Sequence, residues 1–395
     1  MSPVFDGRLL LVLSIFCFNG VFGRERGIKI AAVSGVEGIE AQRSRILHYK
    51  GRSSGLFNVM SFGARADSQT DDTRGYLKAT TDLSKYGFSA GWVEFGWVEG
   101  LTLTGGGTFD GQGAKAWPYN NCPTDSNCKL LPTHVKFMAM NKTVVRGITS
   151  LNSKFFHIAL VECKDFKGSK IKISAPENSP NTDGIHIERS SGVYFSGSHI
   201  GTGDDCISVG QGNSQVTITG VTCGPGQGIS VGSLGRYRNE RDVSGLLVRD
   251  CTMRGTTNGI RIKTWANSPG SSAATNMTFE NIVMNNVTNP IIIDHTYCPF
   301  TSCTSILGDI VENPIGNKLQ APSRVKISDI YFKNIRGTSS SKVAVTLECS
   351  KGMSCQNIYL EDVHLDLSSG EKHATSTCKN VRAKYIGTQI PPPCS

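Results

Sequence analysis

Between Asn181 and the strand that ends near Ile293 the chain repeats one short pattern five times. Asp183-Gly184-Ile185-His186-Ile187 is followed by Asp205-Cys206-Ile207-Ser208-Val209 and by Gln227-Gly228-Ile229-Ser230-Val231. Asn258-Gly259-Ile260-Arg261-Ile262 and Asn289-Pro290-Ile291-Ile292-Ile293 complete the series. Read at the second residue, the copies advance by 22, 22, 31 and 31 positions. A period of that length, with β-branched residues in every copy, predicts a parallel β solenoid built coil upon coil. Side chains alternate along a strand, so Ile185 and Ile187, Ile207 and Val209, Ile229 and Val231, and Ile260 and Ile262 share the inner face. His186, Ser208, Ser230 and Arg261 then form an outward row that Lys263 continues.

Asp183, Asp205, Gln227, Asn258 and Asn289 precede these strands and stand one above another. Coils stack at roughly 4.8 Å, so Asp183 and Asp205 become neighbours although far apart in the chain. For Asn258 and Asn289 a ladder of turn-capping amides is the expected role. For Asp183, Asp204 and Asp205 it is not, because three crowded carboxylates repel one another and need a chemical reason. Gly184, Gly228 and Gly259 read as turn geometry rather than ligand contacts.

Four blocks carry a resemblance: Asn181-Thr182-Asp183-Gly184, Gly203-Asp204-Asp205-Cys206, Gly226-Gln227-Gly228-Ile229-Ser230 and Arg261-Ile262-Lys263. Together, in that order, they are similar to the signature of the polygalacturonases, glycoside hydrolase family 28. The likeness runs from about Phe57 to Cys394. The run Gly105 to Gly113 makes it resemble most the plant exopolygalacturonases of the pollen type. The resemblance implies an all-β fold, a single-domain right-handed parallel β-helix of the pectin-lyase kind. It also implies inverting hydrolysis of α-1,4-galacturonosyl linkages in pectin, with exo action.

Inverting cleavage needs a protonated acid beside the leaving oxygen and a carboxylate that holds water on the opposite face. The residues alone say only that the trio shares protons. The resemblance makes Asp204 the general acid and Asp183 and Asp205 the bases. Galacturonate is anionic, so a cation must stand near: Arg261 offers a planar fork and Lys263 a point charge two positions on. Tyr297 resembles a family residue near the reaction centre, and His186 lines the groove or is incidental. His295 is expected to be structural.

The chain departs from the pattern at three places. Gln227 stands where the family has His, and an amide cannot titrate, so activity is expected to be weakened. After Asp71-Asp72-Thr73 the capping helix and first coils implied by the resemblance are largely missing, which predicts exposed strand edges and lower stability. Ile306 to Ala321 is inserted between Cys303 and the strand-like run at Val325, near Tyr297. Further strand-like runs are Val343 to Leu347 and Ile358 to Leu365.

Length and composition fit this reading. The chain has 395 residues, but a solenoid grows by adding coils and can remain one domain, here residues 57–395 after a lead-in at 24–56. Residues 1–23 read as a signal peptide: Arg8 precedes the apolar run Leu9 to Phe18, with cleavage after Gly23. That run is too short to span a bilayer, so a secreted protein of the cell wall or extracellular space is expected. With Cys17 in the leader, 12 of the 13 cysteines remain, an even number suited to an oxidising compartment. Cys349 with Cys355 and Cys378 with Cys394 are expected bridges, and Cys206 with Cys223 resembles the family pairing. Cys163 and Cys251 are either bridged or buried thiols. Sequons occur at Asn141, Asn276 and Asn286. The net charge of +9 suits an anionic partner, with no signature of nucleic-acid binding. Pectin or polygalacturonate is therefore the expected partner of a monomer that needs no cofactor and no metal.

Two other readings compete. A catalytically inactive pectin-binding relative would keep Arg261 and Lys263 but lack turnover. A pectate lyase on the same scaffold would need a calcium cluster, for which no pattern is present.

Overall fold

A computed structural model describes residues 75–86, 91–122, 128–299, 322–370 and 373–394, together with the backbone of the paired strands Ile28–Ile30 and Leu47–Tyr49. Apart from those two strands the lead-in at 24–56 lies outside the described residues, as do residues 57–74, where the shortened cap was expected, and the insertion at Ile306–Ala321.

Isoleucine and valine at alternate positions cannot bury both faces of an isolated strand. They bury one face each by stacking rungs in parallel. One sheet holds ten strands, each contributed by a successive coil, from Gly91–Gly96 to Thr375–Lys379. The expected register holds residue for residue: Ile185 pairs with Ile207, Ile207 with Ile229, Ile229 with Ile260, and Ile260 with Ile291. All five are fully buried, each worth about 1.5–3 kcal/mol of apolar burial.

A second sheet of 17 strands closes the remaining sides of the coil. Early coils give it two short strands, such as Lys164–Ser169 and Lys172–Ser174. Later coils fuse them into one, such as Ser272–Val287. The runs expected after the insertion are strands Val325–Ser339, Val343–Glu348 and Cys355–Leu367. The only helical elements among the described residues are three short 3₁₀ turns. Aromatic rings line up inside: Phe95 stacks on Phe137 at 5.3 Å, Phe137 meets Phe166 edge to face at 5.0 Å, and Phe166 lies tilted to Phe195 at 5.9 Å.

Asn289 Nδ2 donates to Asn258 Oδ1 at 3.2 Å and to Thr257 O at 3.1 Å, the expected amide ladder. The three expected bridges are formed, Cys206–Cys223, Cys349–Cys355 and Cys378–Cys394. Cys122–Cys128 is a further bridge that the sequence reading did not propose. Cys163 and Cys251 are free and buried.

Candidate active site

The acids sit where the chain turns into successive strands of the ten-stranded sheet. Asp183 is held from below by Thr182, whose hydroxyl meets Ser179 Oγ at 2.6 Å and receives a bond from Thr202 Oγ1 at 2.7 Å. The Gly184 amide donates to Asp205 O at 2.9 Å, Cys206 N to Gly228 O at 2.7 Å, and Gln227 N to Asp204 O at 2.8 Å. These bonds lock three consecutive turns together, with Cys206–Cys223 bracing the middle one. Gly228 is required at its turn: φ is +73°, and a Cβ would stand 2.0 Å from Asn258 O.

One geometric rule fixes the carboxylates. The outward serine on each strand donates back to the aspartate of the coil before it. Ser208 Oγ meets Asp183 Oδ2 at 2.6 Å, and Ser230 Oγ meets Asp205 Oδ1 at 2.6 Å. Lys263 Nζ takes the other oxygen of Asp205 at 2.8 Å. Among the described residues Asp204 accepts only from the amide of Asp205, at 2.7 Å, and it is partly exposed.

Crowding and burial set the charges. Burial, then the Asp205 charge, raise Asp204 to about 6, while Lys263 pulls the other way. Burial drives Asp183 well above the ordinary carboxylate range. Asp204 and Asp205 add to that rise, and the Ser208 hydrogen bond opposes it. Burial lowers Lys263, but the Asp205 carboxylate more than compensates, so the ammonium is held above its usual range.

The cations stand beside the acids, already paired within the protein. Lys263 is buried as the counter-ion of Asp205. The Arg261 guanidinium bonds Asp294 Oδ2 at 3.1 Å and lies 5.0 Å from the Tyr297 ring centroid; Lys263 Nζ is 5.5 Å from the same ring. Burial pushes the Tyr297 phenol up, against the pull of Lys263 and Arg261. Gln227 is half-buried on the rung between Asp205 and Asn258. His186 Nδ1 is 2.8 Å from Ser208 Oγ and its ring stacks on Phe156 at 4.7 Å, so it reaches Asp183 through one hydroxyl.

His295 is structural, as expected. Its Nδ1 accepts from Ser350 N at 3.0 Å, so Nε2 carries the proton and donates to Val325 O at 2.6 Å. It lies near Cys349 and Cys355, but the disulfide and these two bonds leave no ligand atom for a metal. The sequence reading missed Ser208, Ser230 and Asp294 as site residues. The serines carried a usable signal, since both follow their aspartate by 25 positions.

A solenoid with a carboxylate cluster on its outer turns, cations beside it and rings at its edge has the makings of a polysaccharide-processing enzyme. The comparisons agree. The model of glycosyl hydrolases family 28 matches residues 50–387. An exopolygalacturonase of Platanus acerifolia is 48% identical over 329 residues, covering 83% of this chain and 82% of the relative. One of Oenothera organensis is 46% identical over 324 residues, covering 82% and 85%. Among solved structures, a polygalacturonase from Erwinia carotovora has a TM-score of 0.62 at 24% identity, covering 78% of this chain and 81% of that one. The endo-xylogalacturonan hydrolase of Aspergillus tubingensis has 0.64 at 22%, covering 80% and 85%. These structural likenesses establish the right-handed parallel β-helix.

The chain belongs to family 28 of the glycosyl hydrolases and is a glycosidase.

Proposed function

We propose that this protein is an exported exopolygalacturonase that removes galacturonate from the ends of α-1,4-linked pectin chains with inversion. The observation that carries the reading is the meeting of Asp183, Asp204 and Asp205 on adjacent turns, with Lys263 and Arg261 beside them. Asp204 is the acid. Its carboxyl is raised to about 6, accepts the Asp205 amide and is partly exposed, so it can hold a proton and release it to the leaving oxygen. Asp183 and Asp205 each accept a hydrogen bond from a serine hydroxyl, which fixes their orientation for holding the water and, at Asp183, opposes the rise that burial imposes. Arg261, aimed by Asp294 and backed by Tyr297, takes the substrate carboxylate. The names of the relatives support the substrate and the exo mode. The leader at residues 1–23 and the exposed sequons at Asn276 and Asn286 support export.

The test is incubation of the purified protein with polygalacturonate. Release of monogalacturonate alone, with the β anomer formed first, is expected. Longer oligomers as the first products would refute exo action, and the α anomer would refute inversion. An ultraviolet-absorbing unsaturated product would indicate lyase chemistry. Gln227 favours a second reading, a pectin-binding protein without turnover; binding with no reducing ends released would establish it.

A further inference from the structure

Ser208 lies between two groups and has one proton to give. Its hydroxyl donates to Asp183 Oδ2 at 2.6 Å, and the same oxygen is 2.8 Å from His186 Nδ1. While the proton points at the carboxylate, the ring can only be the donor to Ser208, so the imidazole carries its proton on Nδ1. Its Nε2 then faces Glu188 Oε2, 3.8 Å away on the same strand. The result is a one-way chain, His186 to Ser208 to Asp183, with both links directed at the carboxylate. The other charges around the ring are Arg189, which pairs with Glu188 and Glu162, and Asp183 itself beyond the serine. On the side of the preceding coil the ring meets the flat face of Phe156. Gln211 holds Glu188 in place with a bond of 2.9 Å.

Asp183 needs such support. It is buried, its two neighbours are also acids, and the near cation is spent on Asp205. An amide at Gln227 cannot take part in proton exchange. We propose that His186 is a positioning residue for the hydrolysis reaction: through Ser208 it favours the ionised form of Asp183 against the burial that opposes it, and orients that carboxylate as the base that holds the attacking water. This rests on the hydrolytic reading above and gives His186 a role beside the groove-lining and incidental ones weighed from the sequence.

Hydrogen bonds to a charged carboxylate lower its pKa, so cutting the chain raises the pKa of Asp183. The acid limb of the kcat profile on polygalacturonate should therefore move to higher pH, by about one unit, in His186→Ala. On that limb one unit is a ~10-fold loss at fixed pH. Ser208→Ala should give the same displacement, and the double variant no more than either alone. His186→Asn, whose amide nitrogen can stand near the position of Nδ1, should restore most of the limb. Variants that raise KM while leaving the limb in place would overturn the proposal in favour of a sugar contact. A readout independent of turnover separates this from failure of the hydrolytic reading. In ¹⁵N NMR of the wild-type protein, the His186 ring should show the Nδ1–H form, and Ser208→Ala should change it. A dominant Nε2–H form would refute the chain whether or not the protein cleaves pectin.

Discussion

Asp204→Asn should abolish hydrolysis and yet stabilise the protein at neutral pH. In the folded state burial and the Asp205 charge raise the Asp204 carboxyl from 3.8 to about 6. The unfolded chain therefore ionises first as pH rises. The sign follows. Below about pH 3.8 both states are protonated and the group contributes nothing. Between the two values ionisation favours the unfolded chain, and above about 6 the full penalty remains. Two pH units correspond to about 3 kcal/mol, and partial exposure of Asp204 reduces this to ~1–3 kcal/mol. Asparagine keeps the oxygen that receives the Asp205 amide, so little is lost in exchange. With an unfolding entropy of ~2.1 cal/mol/K per residue over roughly 300 residues, the melting temperature should rise by ~2–5 °C at pH 7. At pH 3.5 the gain should nearly vanish. Calorimetry of both proteins at the two pH values decides it. A fall at pH 7, or an equal gain at both, would refute the claim that crowding and burial hold this carboxyl high.

The other expectations are simpler. Gln227→His should raise kcat on polygalacturonate, by about 10-fold or more, if a titrating group at that rung assists proton transfer; equal turnover would show the amide to be harmless. Arg261→Lys loses the bond to Asp294 and the planar fork offered to the substrate carboxylate, so KM should rise by about 10-fold or more in steady-state assays. Gly228→Ala puts a methyl group 2.0 Å from Asn258 O at a φ of +73°, and urea titration should show a loss of more than about 3 kcal/mol, if soluble protein is obtained at all.

How far the sequence could be read depended on distance along one coil. The isoleucine column, the amide ladder and the stacking of Asp183 under Asp205 follow from alternation and a fixed period. Both are local rules, and the register matches them. The pairing of charges across coils does not follow from such rules. Lys263 and Arg261 lie two apart and were expected to act together on the substrate. In the fold the sheet pairs Lys263 with Asp294 in register, yet it is Arg261 that reaches Asp294, while Lys263 turns back to Asp205, 58 positions earlier. Side-chain length and a bulge between Lys263 and Trp265 decide this, and neither can be read from spacing. Ser208 and Ser230 were placed on the correct face but without a partner. Their bonds run diagonally to the preceding coil, which a column-by-column reading passes over. Cys122–Cys128 has the same six-residue span as Cys349–Cys355 and could have been proposed on that likeness.

Each coil rests chiefly on its two neighbours, so the reacting centre is shared among turns that can open separately. Fraying from the Cys394 end would reach Asp294 and Arg261 first, leaving a molecule that keeps its acids but has lost its grip on an anionic sugar. Fraying from the Tyr76 end would reach Asp183 first, leaving one that still holds the chain but has lost its grip on water. The two half-opened forms would differ in kind, one blind to pectin and one inert towards it.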